Sequence, residues 1–503
     1  MNTTLHVKRL LALALLAVSC SPARAAAPKP NFIVMNIDDL GYADIGPFGS
    51  TINRTPNLDR MAREGRRLTS FYAAPVCSPS RAALMTGCYP KRALPIPHVL
   101  FPGNDVGLAP AELTVAEILK EAGYITSIVG KWHLGDQPEF LPNRQGFDEW
   151  LGLPYSNDMG PSEDGVKSDL DKPLPPAKGQ GQPPLPLLRN GKVIQRVLPD
   201  DQQALVERYT DEAIAFIERN KARPFFLYLA HNAVHFPIYP GKKWAGQSPH
   251  GIYSDWVEEV DWSVGRVLEA VRTQGLAERT LVIFTSDNGG TPRGVNLPLR
   301  GRKGSTWEGG VRVCTVAWWP GRIPAATSSD AITGMFDILP TFAALAGARV
   351  PADRKIDGAN IWPVLTGEPG ARPPHETFYY YRGLRLEAVR HGDWKLRLPG
   401  AAGDNRVGTA AKNNADAAAA EAKPESPKLY HLKTDIGETT DAAAAHPEIV
   451  AKLEALVARM KDDLGLDGPS PGSRLLGKIE TAAPLIGHDG KVRQGLESVL
   501  KDQ

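Results

Sequence analysis

Asn31-Phe32-Ile33-Val34-Met35-Asn36-Ile37-Asp38-Asp39-Leu40-Gly41 sets an apolar, β-prone run directly before a pair of carboxylates. A short run of this kind, without strict alternation of polar and apolar residues, reads as a strand covered on both faces, the usual state of a strand in a parallel sheet. The pattern recurs along the chain. Ile125 to Val129 leads to Lys131-Trp132-His133, Phe225 to Leu229 leads to His231 to His235, and Leu281 to Thr285 leads to Asp287-Asn288. Helical patterns over Leu113 to Ala122, Ala204 to Asn220 and Trp256 to Thr273 lie between these runs. The β-α alternation specifies an α/β fold, a large doubly wound mixed sheet flanked by helices. Ligands of such sheets gather beyond the carboxyl ends of the strands, so the four polar segments are expected on one rim.

Outward from this core the composition divides the chain. Length alone, 503 residues, would allow about three domains, but large α/β enzymes often use fewer, and two are expected, with a change of pattern after about Pro373. Thr377 to Tyr381, Glu387 to Arg390 and Trp394 to Leu398 read as short strands of a small antiparallel sheet, and Pro447 to Asp463 as an amphipathic helix. The expected organisation is a catalytic domain over 26–373 and a smaller subdomain over 374–503. Residues 401–427 are alanine-rich and read as a low-complexity insertion. Pro161 to Pro186, rich in Pro, Gly, Lys and Asp, is expected as an exposed loop near the site mouth.

Lys8-Arg9, the apolar Leu10 to Val18 and the small-x-small site Ala23-Arg24-Ala25 make residues 1–25 a signal peptide, too short for a membrane span. Its removal takes away Lys8, Arg9 and Arg24 and no acid, so the formal charge goes from +2 to −1. That balance argues against a broad nucleic-acid-binding surface and against nucleic acid as a partner. The expected location is outside the cytoplasm, periplasmic or extracellular. Ala17-Val18-Ser19-Cys20 also resembles a lipoprotein box, and a membrane enters only if Cys20 is lipidated. Four cysteines exclude a disulfide scaffold, leaving Cys88 and Cys314 as a pair or as two buried free thiols.

Cys77-Ser78-Pro79-Ser80-Arg81, continuing Ala82-Ala83-Leu84-Met85-Thr86-Gly87, sets an oxidisable cysteine where a helix could begin. Ser78 is expected as its N-cap and Pro79 in its first turn, with residue 77 at the positive end of the helix, where an anion is stabilised. The stretch resembles the maturation signature of the type I, formylglycine-dependent sulfatases, in the arylsulfatase A-like branch of the alkaline phosphatase superfamily. Further segments carry the resemblance across 31–464. Asn36 to Gly41 and Thr285 to Gly289 are similar to the family's metal-binding segments, Gly130-Lys131-Trp132-His133-Leu134-Gly135 to its Lys-Trp-His block, and Val234-His235-Phe236-Pro237 to its His-aromatic-Pro loop. Leu299 to Arg312 resembles the block that contributes Lys303, and Gly152 to Asp158 resembles the branch in which Ser156 contacts sulfate. Leu429 to Glu438 is similar to the C-terminal subdomain.

The resemblance implies a sulfuric ester hydrolase whose residue 77 is converted to formylglycine (3-oxoalanine) by a maturation enzyme. It also implies a metal site of Asp38, Asp39, residue 77, Asp287 and Asn288. A set of hard oxygen donors suits Ca²⁺, with Mg²⁺ second. The implied route starts from hydrated formylglycine, one hydroxyl of which attacks sulfur with help from Asp287. His235 or Lys303 then protonates the leaving alcohol, and His133 takes the second hydroxyl proton as sulfate departs. Arg81 and Lys131 hold the diol, and Lys131, Ser156, His235 and Lys303 hold the sulfate. His231 is expected to be structural. The substrate implied is a sulfate monoester of a small molecule or glycan. Two other functions compete: a phosphoesterase of the same superfamily, which would ordinarily carry Ser or Thr at residue 77 and often a second metal, and an exported lipoprotein that binds sulfated glycans without turnover.

Overall fold

The computed structural model describes residues 29–170, 172–173, 181–370, 372–401 and 426–498. The expected signal peptide, Cys20 and nearly all of the 401–427 insertion fall outside them. A mixed sheet of eleven strands forms the centre. Its order is Thr327–Ser329, Arg66–Tyr72, Arg312–Trp318, Thr280–Ser286, Asn31–Ile37, Phe225–Ala230, Ile125–Gly130, Glu149–Gly152, Pro186–Arg189 and Lys192–Arg196, with Thr333–Gly334 also paired to Arg66–Tyr72. The middle of the sheet is parallel, and antiparallel pairs begin at Arg312–Trp318 on one side and at Pro186–Arg189 on the other.

Side-chain alternation explains why the Asn31 strand is apolar on both faces. Phe32 and Val34 join one core with Leu84, Leu119 and Leu339. Ile33, Met35 and Ile37 enter a second core with Phe216, Val260 and Val264. One helical layer therefore carries Cys77–Thr86, Val115–Glu121 and Ile338–Ala346, and the other carries Pro56–Glu64, Pro199–Asn220 and Ile252–Thr273. Register levels the strand ends: Asn36 lies opposite both Ala230 and Thr285, and Ala230 lies opposite Gly130. Residues 38, 131, 231 and 287 consequently leave the sheet at one edge, as the four apolar runs predict.

The small sheet is antiparallel in the order Thr377–Arg382, Arg385–His391, Trp394–Arg397, Lys428–His431. The Pro447–Lys461 helix buries Leu453, Val457 and Met460. Phe378 stacks on Tyr72 at 4.4 Å, so the small sheet joins the large one through aromatic contact. Cys77, Cys88 and Cys314 are buried free thiols, the second of the two arrangements open for Cys88 and Cys314. No helix among the described residues is long and apolar enough to cross a membrane.

The 161–186 segment differs in part from an exposed loop. Val166 and Asp169 are buried. The Asp169 carboxylate accepts the Ile238 amide at 2.9 Å and pairs with Lys172 and Arg293 at 2.9 and 3.1 Å. Long-range contacts of Asp169 with Ile238 and Arg293 draw the described part back onto the loop that follows His235. Residues 174–180 lie outside the described residues.

Candidate active site

Backbone hydrogen bonds join the strand ends into one floor. Asp38 N donates to Ala233 O at 2.9 Å, Asp287 N to Ile37 O at 3.0 Å, and Lys131 N to Ala230 O at 2.8 Å. Gly130 has φ +113°, and a Cβ there would lie 1.9 Å from Ala230 O, so only glycine permits this close approach. Asp39 and His133 each turn out of their segments at φ 63°. That conformation is uncommon for non-glycine residues and tends to cluster at functional sites.

Cys77 is the first residue of the Cys77–Thr86 helix, and Val76 rather than Ser78 is the N-cap. The expected cap fails because Ser78 Oγ is used elsewhere, accepting the Leu100 amide at 3.2 Å. No side chain caps the helix, and Ser80 Oγ instead ties the preceding loop to it, accepting the Ala74 amide at 2.9 Å. Cys77 Sγ lies 3.2 Å from Asp38 Oδ1 and 3.5 Å from Asn288 Oδ1. Burial first, then the charges of Asp287 and Asp38, pushes its thiol well above the ordinary range. An unmodified thiol so placed is a poor nucleophile.

Three carboxylates and three cations interlock around this cysteine. Lys131 Nζ pairs with Asp38 and donates to Ser156 Oγ at 2.6 Å. Arg81 donates from Nε and Nη2 to Asp287 Oδ2 at 3.0 and 2.9 Å, and from Nη1 to Lys131 O at 2.7 Å. Lys303 Nζ lies 2.6 Å from Asp39 Oδ1 and 2.8 Å from Oδ2. Burial alone would raise the Asp38 carboxyl, but Lys131, His235, Arg81 and Lys303 together hold it well below the carboxylate range. Asp287 moves the other way, raised by burial and by the charge of Asp38. Burial would lower the Lys303 ammonium, yet Asp39 leads the charges that keep it raised.

The two histidines differ in setting. His133 is buried, its Nε2 donates to Leu100 O at 2.9 Å, and Nδ1 has no protein partner. Burial, then Lys131 and Arg81, holds this imidazole well below its ordinary pKa, leaving a lone pair on Nδ1. His235 Nδ1 donates to Phe236 O at 2.5 Å, and its Nε2 stands 3.7 Å from Asp39 Oδ2. His231 instead meets Ser263 Oγ at 3.0 Å and is lowered to about 3 by burial, in keeping with a structural role.

One ligand atom each from Asp38, Asp39, Cys77 and His235 lies within 4.8 Å of the others, a spacing that could hold an ion. Asp287 is outside that tight group because Oδ2 is turned to Arg81, while Asn288 reaches it through Cys77. Buried carboxylate and amide oxygens of this density fit a hard divalent cation. The hydrogen bonds and ion pairs thus place Asp38, Asp39, Cys77, Arg81, Lys131, His133, Ser156, His235, Asp287, Asn288 and Lys303 on one rim, with Asp287 outside the tightest group and His231 apart. The geometry also adds Asp158, half-buried within the quoted Gly152 to Asp158 segment, whose Oδ1 is unpartnered and 4.0 Å from His235 Nδ1. The carboxylate of Asp158 was visible in that segment, but nothing local said that it would meet the histidine loop.

Comparison with known proteins gives the same assignment. The Sulfatase family model matches residues 30–348, and the model for the C-terminal region of aryl-sulfatase matches 373–471. Human arylsulfatase A is 39% identical over 461 residues, covering 88% of this chain and 89% of that protein. Dog N-acetylgalactosamine-6-sulfatase is 39% identical over 398 residues, covering 74% of this chain and 73% of its own. Among solved structures, Ps i-CgsB, also solved in complex with k-i-k-neocarrahexaose, aligns with a TM-score of 0.70 at 31% identity, covering 86% and 92% of the two chains. The PsFucS1 sulfatase from Pseudoalteromonas sp. aligns with a TM-score of 0.71 at 29% identity, covering 88% and 92%.

Proposed function

The chain belongs to the sulfatase family and is a sulfate-ester hydrolase, and on that premise we propose that it removes sulfate from sulfated carbohydrates outside the cytoplasm, using formylglycine at residue 77 and Ca²⁺. The observation that carries the proposal is the convergence of Asp38, Asp39, Asp287, Arg81, Lys131 and Lys303 on a buried Cys77 at a helix start. Support for a sugar substrate comes from the relatives and structural neighbours that act on or bind saccharides. Support for export comes from the leader pattern in residues 1–25.

Asp38, Asp39, Asp287 and Asn288 would hold the cation, which supplies positive charge against the sulfate oxygens. Formylglycine would supply an oxygen nucleophile where the thiol is unsuited. The residues of the chain arrange the rest. Lys131 and Ser156, already joined at 2.6 Å, present one ammonium and one hydroxyl to a sulfate oxygen. Lys303 presents a second ammonium from the Asp39 side. These fixed charges stabilise the negative charge that grows as the ester bond breaks. Asp287 is fixed by Arg81 and has a raised carboxyl, both useful in a proton acceptor. His235, with Nδ1 held on Phe236 O, would donate from Nε2 to the leaving oxygen in its doubly protonated form, with Lys303 beside it. His133 would accept a proton at the free Nδ1, its tautomer set by Leu100 O.

The test is mass spectrometry of the peptide spanning residue 77, together with turnover of a panel of sulfated sugars and a chromogenic aryl sulfate. A fully active preparation with unmodified Cys77 would sink the mechanism. Turnover of the aryl ester with no sugar sulfate accepted would remove the carbohydrate assignment and leave the chemistry intact.

A further inference from the structure

A second buried charge cluster lies where the small sheet meets the segment that carries Lys303. Lys395, on the Trp394–Arg397 strand, is wholly buried, and its Nζ lies 2.9 Å from Glu308 Oε1, 2.8 Å from Glu438 Oε1 and 2.9 Å from Thr306 O. Glu438 Oε2 accepts the Glu308 amide at 2.8 Å. Glu308 also accepts Tyr72 Oη at 2.6 Å and Tyr380 Oη at 2.8 Å. Two residues along the same strand, and so on the same face, Arg397 donates to Thr306 Oγ1 at 3.1 Å and lies 3.7 Å above the Trp307 ring.

These contacts grip the chain at Thr306 and Glu308, three and five positions after Lys303. The other end is fixed in the active site: Lys303 N donates to Gly290 O at 3.1 Å, and Gly304 N to Pro75 O at 2.8 Å, just before Cys77. Between the grips the turn is tight, with Ser305 N on Arg302 O at 3.1 Å and Gly309 N on Arg300 O at 2.7 Å. A Cβ on Gly310 would fall 2.1 Å from Ser305 O, so the turn has no room to relax inward. A lysine ammonium sits on a flexible four-carbon stem, and its aim depends on where its backbone is held. Burying two carboxylates around one ammonium is a poor way to gain stability, since apolar residues of similar volume often do as well. Its product here is a fixed geometry, carried from the small sheet to the Lys303 turn.

We infer that Lys395 is a positioning residue for the known reaction, which sets Lys303 in the active site through Thr306, Glu308 and Glu438. The inference rests on the reading that Lys303 holds the sulfate. It gives the small sheet a part in catalysis without any of its residues touching substrate.

The experiment is a double-mutant cycle on kcat/KM for a chromogenic aryl sulfate, with inorganic sulfate as a competing ligand, on the full chain well below each variant's melting temperature. Lys303→Ala is expected to lose on the order of 10²-fold. Lys395→Met is expected to lose roughly 10-fold, mostly in KM, with weaker inhibition by sulfate in parallel. Lys395→Met added to Lys303→Ala is expected to cost less than about 2-fold more, because the group it positions is already gone. Glu438→Gln keeps an acceptor for the Glu308 amide and is expected to give a smaller loss with the same non-additivity, which carries the test if Lys395→Met does not fold. Losses that multiply, or variants that melt earlier with kcat/KM unchanged, overturn the inference. Wild-type kcat/KM in Lys303→Ala alone would instead overturn the underlying sulfate contact, and the inference with it.

Discussion

The cluster at Cys77 and the cluster at Glu308 are built from the same materials, buried carboxylates interlocked with lysine and arginine, but they are finished differently. Around Glu308 the charged groups meet at short range, with Tyr72, Tyr380 and Lys395 all within 2.9 Å of its carboxylate. Burial would raise that carboxyl, but Lys395 and Arg312 keep it well below the carboxylate range. Around Cys77 some groups are left open. His133 Nδ1 and Asp158 Oδ1 have no partner, His235 Nε2 is 3.7 Å from Asp39, and Asn288 Oδ1 is 3.5 Å from the thiol. The Glu308 carboxylate is satisfied within the protein and serves to hold shape, although beside it Glu438 Oε1 has only its ion pair with Lys395 and Trp307 Nε1 makes no hydrogen bond, whereas the unused donors and acceptors at Cys77 have capacity for something that arrives.

The largest contrast comes from Cys77→Ala. Activity should fall on the order of 10⁶-fold, as when a covalent nucleophile is lost, while urea unfolding shifts by no more than about 1–2 kcal/mol. A variant that unfolds would erase the distinction between the clusters. Removal of divalent ions should come next. Exhaustive chelation is expected to reduce turnover on the order of 10³-fold, with Ca²⁺ restoring it better than Mg²⁺, because Asp38, Asp39, Asp287 and Asn288 offer hard oxygen donors. Full turnover by metal-free protein would break the oxygen-ligand assignment.

The two histidines sharpen the comparison inside the first cluster. His133→Ala and His235→Ala should each cost roughly 10²-fold in steady-state turnover, but at different steps. Stopped-flow measurement of His133→Ala should show a burst of alcohol equal to the enzyme present, followed by slow turnover. His235→Ala should show no burst, and its loss should shrink for aryl sulfates, whose phenolate needs less protonation than a sugar alkoxide. Identical profiles for both would remove the division of roles. Glu308→Ala gives the smallest effect on activity per unit of damage. It should lower unfolding free energy by about 3–5 kcal/mol, since it strips Arg312 of its carboxylate and leaves the buried Lys395 with one carboxylate, Glu438, while folded enzyme retains a residual rate.

The rim was legible because each of its strands is a short apolar run ending at polar residues, and parallel strands in register must discharge those residues at one edge. Asp38, Lys131, His235 and Asp287 could be collected on that ground, although 249 positions separate Asp38 from Asp287. The sulfatase resemblance then supplied roles that spacing alone could not. The Glu308 cluster was illegible for a related reason. Lys395 and Glu438 belong to short antiparallel strands and turns whose docking on the large sheet is set by Phe378, Tyr72 and other contacts without sequence periodicity. Ser78 was misread because capping preference is local, and the Leu100 amide that claims its hydroxyl comes from a distant loop. Asp169 likewise found Arg293 across the fold, which turned an expected surface loop inward.

Cys77 has only 1% of its surface exposed, and the helix that starts with it is buried at every residue through Thr86. If residue 77 is converted to formylglycine as proposed, a catalyst of that conversion would need access that the finished fold does not give. On the proposed mechanism, timing would follow from packing: conversion of residue 77 would have to reach the chain before the Cys77–Thr86 helix closes against the sheet. Chains that folded before conversion would then be correctly shaped but inactive, and the active fraction of a preparation would record a race between folding and conversion.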